Sequence, residues 1–87
     1  MTQLRLREDR LEWRLVEGEI VVLDLSTSRY IAINGSGAKL WPGLLDGATL
    51  RELSDVLANE YGLEPTRAER DVQSFVSALA EQGLLDG

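Results

Sequence analysis

The sequence predicts an α+β fold in which a three-stranded antiparallel sheet is followed by three helices. The apolar pattern changes period once, near residue 34, from every second residue to every third or fourth. The runs before that point are joined by connectors too short for a parallel crossover, so the strands form a meander in order 1-2-3. With 87 residues there is no room for two cores, and the chain is expected to be one domain over 1–87 with its core at about 11–85.

Leu11, Trp13 and Leu15 alternate with Glu12, Arg14 and Val16, and Glu17-Gly18 then reads as a tight turn. Residues 19–25 place Val21, Leu23 and Leu25 on one face and Ile20, Val22 and Asp24 on the other, the mark of a central strand. Ser26-Thr27-Ser28 supplies turn hydroxyls, and Arg29-Tyr30-Ile31-Ala32-Ile33 is a third β-rich run.

Asn34-Gly35-Ser36-Gly37 mixes turn residues with capping oxygens and opens the helical half. Leu40, Trp41, Leu44 and Leu45 make the first helical stripe, with Pro42 expected to kink it or start a fresh turn. Thr49 with Glu52 three residues on predicts a capping box; Leu50, Leu53, Val56, Leu57 and Tyr61 follow, and Gly62 ends the second helix. Pro65 and Thr66 open the third, whose stripe is Ala68, Val72, Phe75, Val76 and Leu79, ending at Gly83 before Leu84-Leu85. Both tryptophans are assigned to the core, Trp13 becoming exposed if the first strand frays.

The missing residue types narrow the chemistry. Without cysteine there is no disulfide, thiolate nucleophile or cysteine zinc site, and without histidine the commonest general base and transition-metal ligand are gone. The expectation is a protein with no catalytic residue, cofactor or metal. No segment reaches the roughly 18 apolar residues of a membrane span, and the N-terminus lacks an apolar signal core, which predicts a cytoplasmic protein without a membrane partner.

Net charge is −6, and all of the excess lies in residues 46–87, where Arg51, Arg67 and Arg70 face nine acidic side chains. An acidic half repels phosphate backbones and suits a neutral-to-basic protein or peptide partner, although the same carboxylates also serve as a plain solvated face. A small antiparallel sheet with three helices is winged-helix-like in composition, a fold that often binds DNA. The third helix, however, sets Arg67, Arg70, Gln73 and Gln82 against Glu69, Asp71 and Glu81, a poor balance for a groove-entering helix.

Val22-Leu23-Asp24-Leu25, Arg29-Tyr30, Ile33-Asn34, Gly37, Leu40-Trp41, Leu44-Leu45-Asp46-Gly47, Asp71-Val72, Phe75-Val76, Leu79 and Gly83-Leu84-Leu85, in that order and spacing, resemble the PqqD family over roughly residues 11–85. Within it the chain is most similar to the stand-alone recognition subunit of lasso-peptide biosynthesis. The resemblance implies a RiPP recognition element: a non-catalytic adaptor to which the leader segment of a ribosomally made precursor adds as an antiparallel strand, in a groove between the third strand and the third helix. It also implies as partners a cysteine-type leader peptidase and then a cyclase, with no nucleic acid. Two positions depart from the family. Ser28 stands where glycine is common, implying a longer second turn without a positive φ, and Pro42-Gly43 implies a broken first helix.

On that reading the leader-binding residues are Arg29, Tyr30, Ile31, Ala32 and Ile33 of the strand with Asp71, Val72, Phe75, Val76 and Leu79 of the helix. An edge strand's unpaired amides give main-chain affinity, and the helix supplies side-chain specificity. The same helical spacing also describes a core stripe, Tyr30 also fits a half-buried strand residue, and Asp71 also suits the helix dipole. A winged-helix DNA-binding regulator and a subunit that only stabilises a protein partner are the competing functions.

Overall fold

In a computed structural model, which describes residues 3–33 and 35–86, the order is β1 (Arg5–Leu6), a 3-10 turn (Glu8–Arg10), β2 (Leu11–Val16), β3 (Glu19–Asp24), β4 (Arg29–Ile33), α1 (Ser36–Asp46), α2 (Leu50–Tyr61), α3 (Pro65–Glu81) and β5 (Leu85–Asp86). The antiparallel meander β2-β3-β4 followed by three helices is the expected winged-helix-like α+β arrangement, with β3 central. Pairs of two-residue strands are too short to show a period, and so the second sheet, β1 with β5, was not legible in the sequence. It ties the N-terminal segment to the end of α3: Leu6 lies opposite Leu85, the Arg7 amide donates to the Leu84 carbonyl at 2.9 Å, and Leu6 and Leu84 are both buried.

The two hairpin turns follow from backbone conformation. Glu17 and Gly18, at φ 50° and 84°, make the two-residue turn whose twist suits paired strands. In the second turn the Ser26 amide donates to Asp24 Oδ1 at 2.9 Å and the Ser28 amide to the Asp24 carbonyl at 2.7 Å. Ser28 has φ 59°, which corrects the expectation of a turn without a positive φ: closing the chain back onto Asp24 demands a left-handed residue there, and serine takes the strain.

Strand pairing fixes which amides are free. Residues opposite one another in an antiparallel pair alternate between hydrogen-bonded and non-hydrogen-bonded, and the Leu25 amide donates to the Arg10 carbonyl at 2.8 Å. Even-numbered residues of β2 therefore bond inward to odd-numbered residues of β3, while Ile20, Val22 and Asp24 bond to Ile33, Ile31 and Arg29. Along β4, Ile31 and Ile33 turn their peptide groups to β3, and Tyr30 and Ala32 turn theirs outward.

Leu11, Ile20, Val22 and Ile33 of the sheet, Leu40, Trp41 and Leu44 of α1, Leu53 and Leu57 of α2, and Ala68, Val72 and Leu79 of α3 form one buried cluster. α1 runs unbroken through Pro42, contrary to the expected break: proline removes only the bond to the Ala38 carbonyl, and buried Leu40, Trp41 and Leu44 hold the turns on either side. Its cap is Gly35, at φ 55° and ψ −130°, with no side-chain oxygen bonded to the helix start, so the expected capping hydroxyl at Ser36 is instead the first helical residue; Asn34 lies outside the described residues. The Thr49–Glu52 capping box and the left-handed Gly62 cap are as expected. On α2, Val56 and Tyr61 are exposed and Ser54 is buried, its hydroxyl bonded to the Leu50 carbonyl at 2.8 Å. Trp13 is 44% exposed although β2 is intact, because the buried cluster takes only Leu11 from β2; one edge of the Trp13 ring meets Trp41 of α1, ring centroids 5.9 Å apart.

Candidate functional site

β4 is an edge strand, and its residues split by parity. Tyr30 and Ala32 lie on the outer face, exposed, with Tyr30 at 74%. Ile31 and Ile33 face the helices, half-buried and buried, while Arg29 is exposed at the strand's start. The free amides and carbonyls of Tyr30 and Ala32 are the groups an incoming antiparallel strand would pair with.

The near wall is set by Gly37. A Cβ there would stand 2.8 Å from both Ile33 Cγ2 and Phe75 Cε1, so the missing side chain is what lets the start of α1 sit between the end of β4 and α3. Phe75 is half-buried against the core, one rim of its ring turned to this side of α3. Asp71, one turn earlier on the same side, is exposed and lies 4.0 Å from Arg67 Nε. Side chains this open, paired at i,i+4, contribute little to stability and leave the carboxylate available.

The other helix residues separate by angle. Successive α-helical positions turn by about 100°, which puts Val76 on the opposite flank of the buried stripe from Asp71 and Phe75. There it lines a recess of about 860 Å³ between α2 and α3, with Leu50, Ala58, Glu69 and Gln73. Val72 and Leu79, at 0% and 3% exposure, are core residues beneath the surface, as is Ile33. Of the ten candidate residues, the structure brings Ile33 and Phe75 to the same point beside Gly37, leaves Tyr30 and Ala32 with free peptide groups on the β4 edge, and places Asp71 one turn from Phe75 on the same flank of α3, with Arg29 exposed at the start of the strand. Gly37 carries the geometry without a side chain, and a glycine at the third position before a helical apolar stripe was its signal.

No group of three or more carboxylates placed to hold a metal occurs among the described residues, and no helix among them is long and apolar enough to cross a membrane.

The chain matches the profile of the family described as coenzyme PQQ synthesis protein D (PqqD) over residues 19–85. No match was found among curated proteins. Two solved structures are similar along almost the whole length. One is TbiB1 in complex with the TbiA(beta) leader peptide, 30% identical, TM-score 0.87, with 95% of each chain covered. The other is a lasso peptide synthetase B1 complexed with the leader peptide, 31% identical, TM-score 0.84, with 97% of this chain and 98% of that one covered. The family profile, the two full-length structural matches and the meander-plus-three-helix fold agree: this chain belongs to the PqqD family and is a PqqD-like RiPP recognition element.

Proposed function

We propose that this protein binds the leader segment of a ribosomally made precursor peptide and presents it to processing enzymes in lasso-peptide biosynthesis. The observation that carries the reading is the free edge of β4, where Tyr30 and Ala32 point unpaired peptide groups outward beside the Phe75–Asp71 flank of α3. The leader adds there as an antiparallel strand. Main-chain pairing supplies affinity, and the apolar surface of Ile31 and Phe75 selects an apolar side chain. Asp71 favours a basic leader residue over an acidic one. Two structures of about 30% identity, both determined with leader peptide bound, support the assignment.

The chain acts as an adaptor without chemistry of its own. It has neither cysteine nor histidine, and a partner, a cysteine-type leader peptidase, supplies the nucleophile and base; the cyclase acts on the released core. Both partners and a cytoplasmic location belong to this proposal.

A leader that is disordered when free gives up about 2–5 kcal/mol on ordering, which places the expected dissociation constant between about micromolar and nanomolar. Fluorescence anisotropy with the leader of the precursor encoded in the gene neighbourhood, and with a labelled DNA duplex as the comparison, tests this. Saturable leader binding with negligible duplex binding at physiological salt is expected. Tight duplex binding with a steep salt slope would overturn the reading in favour of a DNA-binding regulator.

A further inference from the structure

The recess between α2 and α3 lies on the flank of α3 away from Phe75 and Asp71, so it stays open when the β4 edge is occupied. Leu4, Leu50, Ala58 and Val76 form its floor, each packed against the core yet only half-buried. Small side chains make the space, Ser54 and Ala58 on α2 and Ser77 on α3. The Ser54 hydroxyl is already spent on the Leu50 carbonyl at 2.8 Å, so the floor calls for apolar side chains in whatever fills it.

The recess is an elongated groove. Pro65 and the 62–64 link stand at one end, and at the other Leu4 exchanges backbone bonds of 2.6 and 3.0 Å with Ala48. From Leu50 to Ala58 the α2 wall runs about 12 Å, and helix anchors at i, i+4 and i+7 span about 10 Å, so three anchors match its length.

Its rim is charged unevenly. Asp55 on α2 and Glu69 on α3 stand exposed on the two walls, and neither joins the ion pairs found among the described residues, Lys39–Glu60 and Arg67–Asp71. Arg51, at the start of α2, is the single cation among the described residues lining the groove. We propose that the recess docks an amphipathic helix of a processing enzyme, apolar at i, i+4 and i+7, with lysine or arginine beside Asp55 and Glu69. That an enzyme carries this helix rests on the adaptor reading above. A second copy is a poor occupant, because α1 sets Lys39 against Asp46 and α2 and α3 each carry more acidic than basic side chains. Nucleic acid and anionic lipid meet the same −6 charge. The helix holds one flank of α3 while the leader lies along the other, so enzyme and leader bind together without competing.

Biolayer interferometry of the full chain against the purified peptidase and the purified cyclase, each with and without saturating leader, tests this. One of them should bind, and Asp55→Lys/Glu69→Lys should weaken it at least about tenfold while leader affinity, read by anisotropy, stays unchanged. Both positions are exposed, so the thermal midpoint should hold. The same charge change at Glu8 and Asp9, exposed in the 3-10 turn, should weaken enzyme binding less than about twofold. Ala58→Trp, which fills the floor, should also lose the enzyme and keep the leader; its midpoint is measured alongside, and the recess reversal decides if it is unstable. No binding of either enzyme, binding indifferent to the recess reversal, or equal loss from both reversals overturns the proposal. A dimer in sedimentation velocity that the recess reversal dissolves would give the groove to a second copy and overturn it as well. A chain that holds an enzyme through the recess but binds no leader would overturn the adaptor reading and leave this one.

Discussion

Ile31 and Ala32 are neighbours in β4 that turn their amides to opposite sides, Ile31 toward Val22 of β3 and Ala32 into solvent. Proline removes a backbone donor, so its effect depends on which side uses it. Ala32→Pro should leave the thermal midpoint within about 3 °C, a shift below roughly 0.5 kcal/mol for a domain of this size, and weaken leader affinity at least about tenfold, near 1.4 kcal/mol. Ile31→Pro should unfold the chain or lower its midpoint steeply, because it breaks a ladder bond in the sheet. Equal binding by the original chain and a folded Ala32→Pro variant would show that the leader uses another edge.

The close approach of Ile33 and Phe75 to Gly37 makes a second prediction. Gly37→Ala puts a methyl 2.8 Å from both side chains, and relieving it requires moving α1 or the Phe75 ring; a stability loss of about 1–3 kcal/mol is expected in chemical denaturation. Phe75→Ala is half-buried, so its cost should fall below the roughly 3–5 kcal/mol of a fully enclosed ring, near 2 kcal/mol. Its leader affinity should fall further than the unfolded fraction explains. A Phe75→Ala protein that is fully folded at the assay temperature and binds leader normally would remove the ring from the site.

The long, periodic elements were legible because burial imposes its period on them: β3 with Ile20 and Val22 inward, the Thr49–Glu52 box, and the α3 stripe through Ala68, Val72 and Leu79. What escaped depends on tertiary placement. β1 and β5 have two residues each, and neither reads as a strand until Leu6 and Leu85 meet. Val76 and Phe75 are adjacent in one stripe, and only the position of α2 decides that they serve opposite flanks of α3. Trp13 follows an alternation that predicts burial, yet it is 44% exposed, met by α1 only at the edge of its ring through Trp41. The resemblance supplied the proposed site, while the direction of each amide required the register.

Ser28 offers a test on stability alone. A non-glycine residue held at φ 59° costs about 1 kcal/mol, part of which glycine returns to the unfolded chain as entropy. Ser28→Gly should therefore raise the thermal midpoint by about 2–5 °C with leader affinity unchanged, since position 28 lies in the turn before β4. Ser28→Val, β-branched at a positive φ, should lower it. A glycine variant less stable than the original would mean that the Ser28 side chain stabilises the turn more than its backbone strains it.

Asp71 separates charge from packing. Its side chain is 46% exposed and its partner Arg67 71%, so Asp71→Lys should change stability by no more than about 0.5 kcal/mol. If a basic leader residue lies against this flank, the reversal should weaken binding about five- to tenfold at low salt, and the difference should shrink as ionic strength rises. Asp71→Asn should fall between the two. Identical affinities for the three proteins at low salt would show that the leader's charges lie elsewhere, leaving the strand pairing at Tyr30 and Ala32 to account for binding.

The adaptor role predicts a division of labour in the cleavage reaction. Amide hydrolysis by a cysteine or serine mechanism needs a nucleophile with an adjacent base, and a chain without cysteine or histidine lacks the ordinary pair. Mass spectrometry of precursor incubated with this protein alone should find it intact; with the peptidase alone, cleavage should be slow. Both together should release the leader, and rapidly. Ala32→Pro, which keeps the fold but loses the edge amide, should return the mixture to the slow rate of the peptidase alone, because the effect of this chain runs through its hold on the leader. Cleavage by the purified chain alone, abolished by a point substitution within it, would refute a non-catalytic role. Full-rate cleavage with Ala32→Pro would instead mean that the chain activates the peptidase by contact and does not need to carry the leader.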